Sequence, residues 1–176
     1  MLDSEKNIKL LFLGPVGSGK TTAIGAISDT PPVSSEMPLM DATSSEKTST
    51  TVAFDYSTIQ LNPNETLHVY GLPGQEYLDF MGSIVGTGAL GAVLLLDASS
   101  QTLEQDCRTA VEQLARIDPS LRFVIGISKT DITPRFSMQT MYALARRMSL
   151  FVPIFCIDPR DPAQAKQLVR ALLYLL

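Results

Sequence analysis

The sequence predicts an α/β fold: a mostly parallel six-stranded sheet with one antiparallel edge strand and helices on both faces. Three observations predict it. Short apolar runs alternate with segments of helical spacing along the whole chain, the pattern that builds a parallel sheet covered on both sides. Two strand-like runs are separated by only Asn62-Pro63-Asn64-Glu65, a turn signal that makes a hairpin and hence one antiparallel strand. The 176 residues suit one domain, 1–176, with a sizeable core.

Each element has its own signal. Residues 8–13 are an apolar run ending in a glycine loop, a strand. Residues 21–27 follow as a helix. Residues 28–51 carry many Ser, Thr and Pro and are expected as one long loop. Residues 51–61 and 66–70 are the two hairpin strands. Residues 92–96 are continuously apolar and end at Asp97, as a buried parallel strand does. Thr102 and Gln105 have capping-box spacing and open a helix running toward Arg116. Residues 121–128 form the next strand, and Ser137 caps a helix over 138–148. Residues 151–157 are the last strand, and Asp161-Pro162 opens the final helix. There Ala165, Leu168, Val169, Leu172, Leu173 and Leu176 fall on one stripe, expected to face the core.

Composition narrows the function. The chain is 45% hydrophobic and 18% charged, with a net charge of −4. Residues 21–106 hold eleven acids, Lys47 and no arginine, whereas residues 107–176 hold ten basic residues and five acids. That balance argues against a nucleic-acid binder. The acidic half is a solvated surface or a face for a basic partner. No window nears the roughly 18 uninterrupted apolar residues of a membrane span. The N-terminus lacks a signal-peptide layout. Leu2 and the C-terminal ALLYLL exclude the usual lipid signals, so no direct membrane anchor is expected. Cys107 and Cys156 lack metal-binding spacing and are expected as reduced thiols in the cytoplasm.

The sharpest motif is GPVGSGKT, residues 14–21, which fits G-x-x-x-x-G-K-[ST]. Glycines let backbone N–H groups curl around phosphates. The helix that follows presents its positive end to the same anion. Lys20 reaches the β and γ phosphates, and the Thr21 hydroxyl suits Mg²⁺. A strand before the loop and a helix after it supply the required context. A second motif, SKTD at 128–131, resembles the [NT]-K-x-D motif with which GTPases read guanine. Asp131 would accept the base's two N–H groups and Lys129 would stack over the ring, which adenine cannot match.

Four segments together, GPVGSGKTT, TSTTVAFDY, GLPGQE and SKTD, resemble the Ras superfamily of small GTPases. The likeness is greatest to the prokaryotic branch that includes the gliding-motility GTPase and GTPases found beside roadblock-type proteins. The resemblance implies a P-loop G domain that binds GTP/GDP and Mg²⁺. It implies nucleotide contacts from Gly14, Pro15, Val16, Gly17, Ser18, Gly19, Lys20, Thr21, Thr22, Thr51, Gly74, Ser128, Lys129 and Asp131. CIDPRD, residues 156–161, stands where the family places its loop behind the base and adds Cys156 and Ile157. Thr21 and Thr51 would hold the metal, with Thr50 as the other candidate for the second position. Gln75 would orient the attacking water and Lys20 would stabilise the transferred charge. A roadblock-type regulator and a role in bacterial polarity or signalling are implied as well.

Three residues depart from that pattern. Gly71 stands where the family carries a metal-holding aspartate. Val16 crowds the γ-phosphate position, and Ser128 replaces an asparagine. No arginine occurs in residues 21–106, so the chain lacks an internal arginine finger there, a contribution of about 10³–10⁵ in rate. Asp97 also ends an apolar strand and is a second candidate for the metal, one strand late in chain order. The expected function is therefore a slow GTPase switch. A nucleotide-binding scaffold without turnover is the alternative, and an ATP-dependent kinase is a weaker one. His68, the single histidine, is expected as a strand surface or packing residue.

Overall fold

A computed structural model describes residues 6–40, 49–72 and 85–176. Its elements follow the order β1 (Lys6–Leu13), α1 (Lys20–Ile27), β2 (Val33–Met40), β3 (Ser49–Asn62), β4 (Glu65–Gly71) and β5 (Ala89–Asp97). They continue with α2 (Leu103–Ile117), β6 (Phe123–Ser128), a 3₁₀ turn (Thr130–Ile132), α3 (Met138–Arg147), β7 (Ile154–Cys156) and α4 (Pro162–Leu173). The expected Gly74 and Gln75 lie outside the described residues.

The strands form one seven-stranded sheet in the order β2-β3-β4-β1-β5-β6-β7. β3 is antiparallel to both β2 and β4, and the other pairings are parallel. This corrects the six-stranded expectation. Residues 33–40, assigned to a long loop, add a seventh strand, and β3 is not the sheet edge. VSSEMPLM has no period-2 alternation and contains Pro38, so local pattern hides it. Proline is tolerated on an edge strand, and pairing with β3 (Val33 opposite Tyr56, Pro38 opposite Thr51) supplies the strand's hydrogen bonds.

β1 sits in the middle, with β2–β4 on one side of it and β5–β7 on the other. Its residues alternate between two cores. Leu11 and Leu13 join Leu94, Leu96, Leu114 and Met141 on the face covered by α2 and α3. Leu10 and Phe12 join Ile24, Ala165 and Leu168 on the face covered by α1 and α4. β5 is buried on both faces from Gly91 to Leu96, which is why it is continuously apolar. Each large side chain buried here contributes about 1.5–3 kcal/mol of transfer free energy.

Helix boundaries follow local chemistry. α1 stops at Ser28, whose hydroxyl donates back to the Ile24 carbonyl at 2.6 Å; Pro31 and Pro32 then prevent continuation. Ser137 caps α3 by accepting from the Gln139 N–H. Asp161 caps α4 by accepting from the Ala163 N–H at 2.8 Å. The capping box at α2 does not form. Thr102 Oγ1 donates to Asp106 at 3.1 Å, and Gln105 turns to Thr109. In α4, Ala165, Leu168 and Leu172 are buried, but Leu173 and Leu176 are 46% and 55% exposed; the core-facing stripe is narrower than expected. The last strand is also shorter, three residues instead of seven.

Parallel pairing puts the carboxyl ends of β4, β1, β5 and β6 on one edge of the sheet. The connection after β1 runs to the β2–β4 side and the one after β4 crosses to β5 on the other side, so that edge carries the crevice where open α/β sheets bind ligands. No helix among the described residues is long and apolar enough to cross a membrane.

Candidate functional site

The loop after β1 is shaped by close backbone approach. Gly14 has φ +139°, and a Cβ there would lie 2.0 Å from the Leu95 carbonyl oxygen. Gly19 caps α1 in the left-handed region at φ +98°, with Pro159 directly behind it. Neither position accepts a side chain. No side chain among the described residues caps the start of α1, which leaves its first N–H groups available to an anion.

Lys20 Nζ donates to the carbonyls of Gly14 and Pro15, each at 2.8 Å. The lysine thus braces the loop and keeps one of its three donors. Burial lowers its pKa, while the charge of Asp55 works in the opposite direction. An ammonium held out of water in this way gains when an anion arrives. Thr21 Oγ1 donates to Asp55 Oδ2 at 2.5 Å. A cleft of about 360 Å³ opens here, lined by Val16, Lys20, Thr21, Asp55 and Gly71 among others. Val16 is 91% exposed at its rim.

A second cleft of about 300 Å³ shares Gly17, Gly19 and Thr22 with the first and continues to Lys129, Asp131 and Arg160. Lys129, in the left-handed region at φ 58°, forms an ion pair with Asp97. Burial alone would raise the Asp97 pKa, but hydrogen bonds from Lys129 and Ser99 outweigh it and the pKa falls. Asp97 therefore serves as the partner of Lys129 in this structure. Asp131 is open to solvent and has Arg160 Nη2 at 3.8 Å. Arg160 is held chiefly by Asp158, with contacts of 2.8–3.2 Å.

The remaining sequence-derived residues divide by placement. Ser128 is fully buried and its hydroxyl faces the Ser18 carbonyl at 2.8 Å and the Leu96 carbonyl at 3.1 Å. It ties β6 to the glycine loop. Ser18 Oγ is buried, with no hydrogen-bond partner among the described residues. Ile157 is buried, and its N–H is already given to Ile127 at 2.9 Å. The Thr51 backbone lies in β3 opposite Pro38, four residues before Asp55, or roughly 13 Å of extended chain. His68 pairs with the Tyr56 hydroxyl at 2.7 Å, a strand contact as expected.

Sequence reasoning missed Asp55, Asp158 and Arg160. Asp55 was inside the quoted TSTTVAFDY, and its signal was an acid between two aromatic residues on an alternating strand. Its value becomes legible only from the register that sets it opposite Gly71.

The two thiols differ. Burial pushes the Cys107 pKa up to about 11, whereas Cys156 is exposed. A neutral-pH thiol titration of the native chain should count one reactive cysteine, and two after denaturation. Two fast-reacting thiols in the native chain would contradict the packing of α2.

No protein-family model matches the chain. It is similar to the uncharacterized protein MJ1339 of Methanocaldococcus jannaschii, 26% identical over 127 residues, which cover 71% of each chain.

Proposed function

We infer that the chain is a guanine-nucleotide-binding switch of the small-GTPase type, with a P-loop at residues 14–21. The observation that carries this is the continuity of the two clefts around Gly17, Gly19 and Thr22. One end offers Lys20, Thr21 and the open start of α1 to phosphates. The other end offers Lys129 and Asp131 to a base. The spacing suits one nucleotide lying across the loop. Asp131 is the exposed acceptor that would discriminate guanine from adenine, and Asp97 holds the Lys129 stem in place beside it. Ser128 acts through the loop backbone.

Mg²⁺ fits the phosphate end, where the Thr21 hydroxyl is an oxygen donor of the hard type this ion takes. When bound, Mg²⁺ neutralises phosphate charge. The chain's own residues bind and orient: Lys20 holds the loop closed beneath the phosphates, and the glycine backbone admits them. Hydrolysis is slow without a partner, because residues 21–106 contain no arginine and Val16 occupies the rim over the phosphates. The output is partner binding through segments 42–51 and 74–81, with a roadblock-type protein as a regulator. A second reading, a scaffold that binds nucleotide without turnover, is favoured by Val16 and Gly71. Single-turnover hydrolysis with bound GTP and Mg²⁺ separates the two: no phosphate released over days, with or without a partner, supports the scaffold.

Displacement of a fluorescent GDP analogue tests the base assignment. GTP should displace it at concentrations at least roughly 100-fold below those of ATP, and Asp131→Ala should erase most of that preference. Equal or better displacement by ATP overturns the guanine reading.

A further inference from the structure

Gly71 removes a side chain from the carboxyl end of β4, and the space is used by a residue of the neighbouring strand. In the β3–β4 register Asp55 stands opposite Gly71, so the two point their substituents to the same face. A Cβ on residue 71 would lie 3.1 Å from Asp55 Cβ, 3.2 Å from Asp55 Oδ2 and 2.8 Å from Ile24 Cδ1. The carboxylate fills the volume beside that missing atom. It reaches the Thr21 hydroxyl at 2.5 Å and lines the same cleft as Lys20 and Val16. Among the described residues, no lysine or arginine forms an ion pair with it.

We propose that Asp55 is the carboxylate of the Mg²⁺ site, supplied from β3 in place of one at residue 71. This rests on the nucleotide reading above and deepens it. Mg²⁺ in nucleotide sites takes one or two carboxylates together with phosphate oxygens and water. Thr21 and Asp55 are a hydroxyl and a carboxylate already in contact at the phosphate end of the cleft. Without the ion, the Thr21 proton bridges the two oxygens. With it, the hydroxyl turns its lone pair outward and Asp55 supplies the negative charge. Gly71 is then a requirement of the arrangement, because a larger residue would displace Asp55 or Ile24.

The test is the Mg²⁺ dependence of nucleotide release. Wild type and Asp55→Asn are loaded with a fluorescent GDP analogue, and release is followed against free Mg²⁺ set with EDTA. Wild-type release should slow steeply as Mg²⁺ is restored. The Asn variant should need about 10–100-fold more Mg²⁺ for the same slowing. Moving the carboxylate back, in the double variant Asp55→Gly/Gly71→Asp, should recover most of the lost Mg²⁺ sensitivity. Should the variants fail to fold, wild type loaded with GDP and Mn²⁺ answers the question. The Asp55 carboxylate carbon signal should broaden away while that of Asp97 persists, and a sharp Asp55 signal overturns the proposal. Equal Mg²⁺ midpoints for wild type and Asp55→Asn reduce Asp55 to a brace for Thr21 and leave the nucleotide reading intact. A folded wild-type chain that retains no GDP overturns both.

Discussion

Replacing Lys20 with methionine should weaken nucleotide binding by about 10–100-fold while leaving the nucleotide-free fold almost unchanged. The two halves of this expectation have separate causes. Toward a phosphate, the partly buried ammonium offers a charge-assisted hydrogen bond, which contributes about 1.5–3 kcal/mol. Losing the one contact that the remaining donor can make weakens binding by about 10–100-fold. In the nucleotide-free chain two effects oppose each other. The Gly14 and Pro15 carbonyls lose a donor, about 1 kcal/mol each, but a poorly solvated cation is also removed. The sign follows from the depressed pKa of Lys20. A base whose folded pKa is lowered carries an unfavourable charge below that pKa, and the cost fades as pH rises toward the ordinary value of 10.5. Removing the cation therefore works against the loss of those hydrogen bonds. Fluorescent-GDP titration and thermal melting of the same variant check both halves. Retained binding within threefold of wild type would remove Lys20 from the phosphate site.

Gly14→Ala should be the most damaging single-methyl change in the glycine loop. Gly14 adopts φ +139°, where side chains are strained, and the added Cβ would meet the Leu95 carbonyl oxygen at 2.0 Å. Leu95 belongs to β5, which is clamped between β1 and β6, so its backbone has no room to retreat. Strain of about 1–3 kcal/mol adds to the clash, for a total of at least about 3 kcal/mol. The melting temperature should fall by roughly 6–12 °C in a domain of this size. Gly17→Ala is the control. Its φ is +82° but nothing among the described residues lies within 4 Å of the added atom, so it should carry strain without the clash and lose clearly less stability. Equal losses would mean that the Leu95 contact is not what requires a glycine at position 14.

Much of the fold was legible because it rests on short-range chemistry. β5 is announced by its unbroken apolar run, the β3–β4 hairpin by Pro63-Asn64, and α4 by Asp161-Pro162. The loop of residues 14–21 is announced by glycine spacing, since backbone conformation there is a property of the residues themselves. The errors fall where a partner distant in the chain decides the outcome. Leu173 and Leu176 have the stripe's periodicity but are exposed, while Leu172 and Leu175 pack on the core. Thr102 has the capping spacing, yet Asp106 competes for its hydroxyl at 3.1 Å.

Local sequence thus settled the parallel α/β plan, the glycine loop with Lys20 and Thr21, and the position of most strands along the chain, because hydrophobic period, turn residues and φ preferences act within a few positions. Long-range packing settled the rest. β2 exists through its pairing with β3. Ser128 became a tether because burial turned it toward the loop. Asp55 reached Thr21 because antiparallel register set it across from a glycine. Register and burial are relations between segments tens of residues apart, and no single stretch of the chain contains them.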